Sequence, residues 1–308
     1  MSSVDRAALE AAADAYLSAV LDQDPSQLPL APTVRFTENS QEIQLGEGLW
    51  CTSSREPAPR RAVCVVDVAK QQVAMLTMLG EHGEQSLLAV RLAFNGDRQI
   101  SEIEQIVARS RNNLSSLFNP DGVDGERAHF REHLPLSNRA SRDELIAAAN
   151  AYFDGIEAND GSHVPVVDSC LRIENGLRTV RREVTGEGFA AGFGGGQLGV
   201  ADAISSGRYD YITGIRERRF LCDEDRGLVL ALAFFDHLGK LTSVNIKGVG
   251  EVELPPVARR PSSTQLFEVF KVVDGKIVAI EAFLDFFQYG IKSGWPVESG
   301  AEPALAAG

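Results

Sequence analysis

The sequence of 308 residues predicts an α+β protein built as two tandem units, each a helix followed by a curled antiparallel sheet. Two observations carry this reading: an internal repeat, and a switch in each copy from helical to strand periodicity. The stretch AYFDGIEANDGSHVPVVDSCLRIENG, 151–176, restates AYLSAVLDQDPSQLPLAPTVRFTENS, 15–40. A constant offset of 136 residues carries positions 11–39 onto 147–175 without a gap. Tyr16 meets Tyr152, Glu38 meets Glu174 and Asn39 meets Asn175, whereas Leu21 meets Glu157. A chain of this length is about twice a typical domain of ~150 residues, so the repeat and the length agree.

Each copy opens with apolar residues at helical spacing: Leu9, Ala12, Ala13, Tyr16, Leu17 and Val20, then Leu145, Ala148, Ala149, Tyr152, Phe153 and Ile156. Ser141, three residues before Glu144, forms a capping-box start for the second helix. Both copies then break near Asp24 or Asp160 and reach a short strand ending in TEN or IEN. Strand patterns follow at about 62–68, 72–79, 86–94 and 99–107, and at about 218–222, 228–236, 242–253, 264–273 and 276–286. Asn95-Gly96 and Asp274-Gly275 read as tight hairpin turns. These patterns place one unit at 1–110, a linker rich in Asn, Ser, Gly and Pro at 111–140, a second unit at 141–295 and a disordered tail at 296–308. The second unit carries two extensions, a Gly-rich stretch from Gly186 to Gly214 and another from Gly239 to Ser263, of the kind that form lids or binding loops.

Composition narrows the function. A net charge of −13 argues against a nucleic-acid partner, which needs Lys and Arg gathered on one face. The apolar fraction of 44% contains no run of about 18 apolar residues, so no membrane span is expected. The N-terminus lacks the basic and apolar blocks of a secretory signal, and Cys51, Cys64, Cys170 and Cys222 show no metal or disulfide spacing. A cytoplasmic location with reduced thiols is expected. GGGQLG at Gly194–Gly199 fits a nucleotide-loop pattern but lacks a preceding buried strand, and HFREH at His129–His133 lacks a third ligand. Neither a cofactor nor a metal is expected.

The helix with AYFDGIEANDGSHV, the following DSCLRIENG and the closing hairpin FEVFKVVDGKIVAIEAFLDFF resemble the nuclear transport factor 2-like, or SnoaL-like, superfamily. That superfamily includes ketosteroid isomerases, polyketide cyclases, scytalone dehydratase and epoxide hydrolases. The resemblance implies two cone-shaped domains, each enclosing an apolar pocket, arranged as a pseudo-dimer within one chain. It leaves further homo-oligomerisation open. By likeness to ketosteroid isomerase, Tyr152 matches the helix tyrosine, Glu174 lies at or beside the general base, and Glu268 matches a protonated hydrogen-bonding acid. By likeness to family dehydratases, Glu157 matches a late-helix acid, while Thr213 stands about where their histidine would be.

The residues themselves bear on these assignments. Strand alternation puts Glu268 on a face with Leu266 and Phe270, and a carboxyl on an apolar face calls for a role. Glu174 shares a face with Cys170 and Arg172, so it is either a site residue or the opener of the ENG turn. Tyr152 is equally a packed core tyrosine or a donor. In FFDH only one of Asp236 and His237 faces the pocket, and His237 is the better acid–base group. Phe153, Tyr209, Tyr211, Arg216, Arg219 and Phe283 complete the candidate substrate-binding set, with the arginines equally suited to pairing surface acids. Where the second half has Glu157 and Glu268 the first has Leu21 and Ala89, so the first half is expected to be a scaffold.

The expected function is a cofactor-independent lyase or isomerase acting on a small apolar or aromatic molecule by proton shift, elimination or retro-aldol-type cleavage. The alternative is a non-catalytic small-molecule binding or assembly protein on the same fold.

Overall fold

The computed structural model describes residues 4–110, 117–181 and 198–295. The tail at 296–308, the GGGQ portion of the nucleotide-like loop and residues 111–116 of the linker lie outside the described residues.

The first half runs α1 (Arg6–Leu21), β1 (Leu30–Glu38), β2 (Gln41–Glu42), α2 (Leu49–Thr52), β3 (Ser53–Ser54), β4 (Arg60–Asp67), β5 (Gln72–Glu81), β6 (Glu84–Phe94) and β7 (Ile100–Ala108). A short helix, α3 (Ala128–Arg131), lies between the halves. The second half runs α4 (Arg142–Ala158), β8 (Val166–Glu174), β9 (Leu177–Arg178), α5 (Val200–Ile204), β10 (Gly214–Asp223), β11 (Leu228–His237), β12 (Ser243–Ile246), β13 (Gly250–Glu253), β14 (Ser262–Val273) and β15 (Lys276–Gln288). The sheets repeat one topology: β2-β1-β7-β6-β5 with β4 on β5, and β9-β8-β15-β14-β11-β10. Pairing is antiparallel except where the first strand lies parallel to the last, β1 on β7 and β8 on β15. The stretch expected as one strand at 242–253 is a separate hairpin of β12 and β13, because Gly248 and Gly250 take positive φ and turn the chain.

The repeated Asn in TEN and IEN is explained by these pairings. Asn39 and Ser40, like Asn175 and Gly176, take positive φ and make the tight turn between adjacent antiparallel strands. The Asn39 side chain accepts from Val107 N–H at 2.8 Å and Asn175 accepts from Leu284 N–H at 2.9 Å, pinning the first strand to the last. Asp274 and Gly275, both at positive φ, make the expected turn between β14 and β15. The capping box of Ser141 and Glu144 is present on α4.

Each helix buries its apolar stripe in the concave side of its own sheet: Tyr16 and Val20 in one half, Tyr152, Phe153 and Ile156 in the other. The opposite faces of the two sheets pack on each other through Val63, Leu76 and Ala89 from the first and Leu230, Phe267 and Phe283 from the second, with Val123 and Phe130 of the connecting segment. Strands buried on both faces read as near-continuous apolar runs, which is what β5, β6, β11 and β14 show. Charged pairs related by the pseudo-twofold frame this contact. Arg142 forks onto Asp67 at 2.8 and 3.0 Å, and Arg6 donates to Asp223 at 2.9 Å.

Candidate functional site

In the second half a cavity opens between the sheet's concave face and the loop after α5, in which the centres of water-sized spheres can occupy about 60 Å³. β8 contributes Arg172 and Glu174, β14 contributes Thr264, Leu266 and Glu268, and β15 contributes Ala282, Leu284 and Phe286. β11 supplies Phe235 and His237, and the loop supplies Arg208, Tyr209, Tyr211 and Ile212. The register explains the convergence: Glu268 pairs Ala282, which pairs Glu174, so three strands present one inward row.

Arg172 is the hub of this row. Its Nη2 donates to Glu174 Oε1 at 2.7 Å and its Nη1 to the Tyr209 hydroxyl at 2.8 Å, while its Nε stands 3.9 Å from Glu268 Oε1. That Nε is buried without a hydrogen-bond partner. Only 3% of Arg172 and 2% of Glu268 are exposed, so the charges interact through a poorly screened interior. Burial pushes the Glu268 carboxyl up to about 7; Arg172 opposes this and the Glu174 charge adds to it. Glu268 also accepts from the Tyr152 hydroxyl at 3.3 Å. Tyr152 lies behind Glu268, edge-on to Phe270 at 5.0 Å, and burial holds its own ionisation well above the usual phenol range.

His237 lines the other end of the cavity. It stacks on Tyr211 at 5.1 Å between centroids, and its Nδ1 lies 3.4 Å from Ser262 Oγ. Burial pushes this imidazole down to about 4, so it is neutral at pH 7. Asp236 faces the opposite way, onto Arg216.

Five candidate residues lie elsewhere. Glu157 accepts from Ile215 N–H at 2.7 Å and pairs with Arg218 at the rim of α4, away from the cavity lining. Arg216 is held by Asp236 at 2.8 Å and by Ile291 O at 2.6 Å. Arg219 reaches across to Glu104 of the first half at 2.8 Å. A register shift between Arg216 and Arg219, with Glu217 at positive φ, interrupts alternation along β10, so these two residues, three apart, both face away from the cavity where a regular strand would turn one of them inward. Phe283 points into the packing between the two sheets, because its neighbours Ala282 and Leu284 take the cavity face. Phe153 packs edge-on against Phe235 and Phe270, both at 5.8 Å, as core behind the cavity. Thr213 is exposed and donates to Asp236 O at 3.0 Å.

Sequence reasoning missed Arg172, Arg208 and Thr264. The signal for Arg172 was present: an Arg-x-Glu pair shares one strand face with Cys170, and a buried arginine beside two carboxylates is self-compensating. Among the described residues, no group of three or more His, Cys, Asp or Glu is placed to hold a metal, and no helix is long and apolar enough to cross a membrane.

The family described as Domain of unknown function (DUF8021) matches residues 2–108 and 138–284. The chain belongs to this family. Its two matched segments coincide with the two sheets and their helices. Solved structures similar to it include the epoxide hydrolase/cyclase-like enzyme SalBIII of salinomycin pyran-ring formation, 13% identical over 47% of this chain and 93% of that one, with a TM-score of 0.30. An LEH-like epoxide hydrolase of M. tuberculosis is 14% identical over 46% and 84%, TM-score 0.28. An NTF-2 like protein from Burkholderia xenovorans LB400 is 16% identical over 51% and 97%, TM-score 0.27. Each covers about half of this DUF8021 chain. No curated protein matches it in sequence.

Proposed function

We propose that this DUF8021 protein is a cofactor-independent acid–base enzyme that moves a proton on a small, largely apolar molecule held in the second-half cavity. The observation that carries the reading is the placement of Glu268: a fully buried carboxyl, pushed up to about 7 by that burial, backed by Tyr152 and set beside a guanidinium that Glu174 already neutralises. A group with a pKa near the working pH both takes and returns a proton efficiently. Tyr209 accepts from Arg172, which leaves its own O–H to donate into the cavity it lines.

In the proton shift, the Glu268 carboxylate removes a proton from a carbon next to a carbonyl. The carbonyl oxygen gains the electron pair as an oxyanion, stabilised by the Tyr209 O–H and Arg172 Nε–H. The carboxylic acid so formed returns the proton to another carbon, giving an isomer, or to a leaving oxygen, giving an elimination. His237, neutral and at the far end, takes no part in this transfer. Tyr152 positions Glu268 rather than touching substrate.

The test is deuterium incorporation from D₂O into a panel of small cyclic ketones, followed by mass spectrometry. Wild type is expected to label at least one ketone, and Glu268→Gln to lower the rate on the order of 10²- to 10⁴-fold with an unchanged unfolding midpoint. Equal labelling by both proteins, or none by wild type, removes the proposal.

A further inference from the structure

Along β14 the cavity is lined by Glu268, Leu266 and Thr264 at alternate positions. Thr264 is 5% exposed, yet its Oγ1 has no hydrogen-bond partner. A buried hydroxyl left unpaired loses the hydrogen bonds it would make to water, and folding gains nothing in exchange. Valine would fill the same space without that loss, so the hydroxyl stands out beside the apolar Phe235, Leu266 and Phe286. It lies four steps along the strand from Glu268, at most about 13 Å at ~3.3 Å per residue. The wall between them is Leu266, Leu284 and Phe235. Beyond Thr264 the end of the cavity is closed by His237, stacked on Tyr211. Tyr211 in turn packs on the small apolar cluster of the β12–β13 hairpin, Val244, Ile246, Val252 and Leu254, which the first half lacks.

We infer that Thr264 is a second polar subsite: the cavity takes a two-ended molecule, with its reacting group at Glu268 and Tyr209, an apolar ring system against Leu266 and Phe235, and a hydroxyl or carbonyl at the far end hydrogen-bonded to Thr264 Oγ1. The inference rests on the second-half cavity being the substrate site, but it concerns recognition and is measured by binding. The hairpin, through Tyr211 and His237, sets how far that molecule extends. The far end is therefore the specificity-determining one, and the Glu268 end is the chemical one.

The experiment compares 2,6-dihydroxynaphthalene with 2-naphthol by calorimetry or ligand-observed NMR, on the full chain. Wild type is expected to bind the diol roughly 3- to 10-fold more tightly, the worth of one neutral hydrogen bond. Thr264→Val is expected to bind the two equally, and Thr264→Ser to restore the preference. Glu268→Gln is expected to keep the preference while losing ketone labelling, so a failure of recognition and a failure of chemistry give different results. A wild type that does not prefer the diol, including one that binds neither compound, overturns the subsite. So does Thr264→Val with the preference intact.

Discussion

The two halves place different side chains at the same points of the same scaffold, and the difference shows how an interior becomes a site. Register assigns the counterparts. Tyr16 matches Tyr152, Glu38 matches Glu174 and Phe36 matches Arg172, while Val90 matches Glu268 and Gln105 matches Ala282. In the first half Tyr16 donates to Gln105 at 2.6 Å, and Gln105 donates to Glu38 at 2.9 Å. Trp50 packs edge-on against Tyr16 at 5.4 Å. Tyr16, Gln105 and Glu38 are thus joined in one buried chain, while the Trp50 Nε1–H beside them has no hydrogen-bond partner. In the second half the amide is replaced by the methyl of Ala282, which lines the cavity, and the hydrocarbons of Phe36 and Val90 are replaced by Arg172 and Glu268. The chemistry therefore depends on removing a plug as much as on adding charges.

The largest expected effect comes from restoring the plug. Ala282→Gln is expected to place an amide between Glu174 and Tyr152, as Gln105 does between Glu38 and Tyr16, and to lower turnover at least as far as loss of the acid–base group, on the order of 10²-fold or more. Stability should be nearly unchanged, because the first half shows that the scaffold accepts the amide. Wild-type ketone labelling by this variant would break the comparison. Next in size is Arg172→Met, which leaves Glu174 and Glu268 without their shared counter-charge. Removing one member of a buried ionic cluster costs about 3–5 kcal/mol, read as a lowered urea midpoint. Adding Glu268→Gln to Arg172→Met should recover part of that loss. A single variant as stable as wild type would mean that Arg172 does not hold the row together.

Much of this was legible in the sequence where local periodicity decides position. Tyr16 and Tyr152 sit on helix stripes, Asn39 and Asn175 on turns that require positive φ, and Glu268 on an alternating strand with apolar neighbours. Legibility failed where periodicity is interrupted or shared by two partners. The register shift in β10 puts Arg216 and Arg219, three apart, on the same outward face. Phe283 looked inward because a strand buried on both faces gives no alternation to read, and its partner surface belongs to the other half. Glu268 was matched to Ala89 instead of Val90, and a slip of one residue puts the side chain on the other face. Arg172 escaped because its compensation comes from strands distant in sequence.

The comparison extends to the contact between sheets. Glu104 and Glu281 are counterparts, both nearly fully buried. Burial pushes Glu104 up, but Arg219 and Arg91 more than offset it and hold it below the usual range. For Glu281 burial prevails over the single Arg127 and pushes the carboxyl up to about 8. A carboxyl whose folded pKa is raised stabilises the fold fully below the unfolded value near 4.5, and loses that contribution as pH rises through about 8. Glu281→Gln is therefore expected to flatten the fall in stability between pH 5 and pH 9 by on the order of 3 kcal/mol. Urea midpoints measured across that range check it, and an unchanged slope would show that Glu281 is ionised throughout.

The smallest expected effect is the reverse experiment in the first half. Gln105→Ala copies Ala282 and cuts the chain from Tyr16 to Glu38, leaving the Tyr16 hydroxyl and one Glu38 oxygen short of a partner. Buried polar groups deprived of one hydrogen bond cost about 1–3 kcal/mol, though Glu38 keeps the Leu49 N–H at 2.8 Å, which favours the lower part of that range. The variant should gain space without gaining activity, because Phe36 and Val90 still stand where Arg172 and Glu268 would be needed. Ketone labelling measured in Gln105→Ala combined with Glu268→Gln isolates the first half. Any labelling above that of Glu268→Gln alone would mean that an opened interior with only Tyr16 and Glu38 suffices, and that the arginine and second carboxyl are not what distinguish the halves.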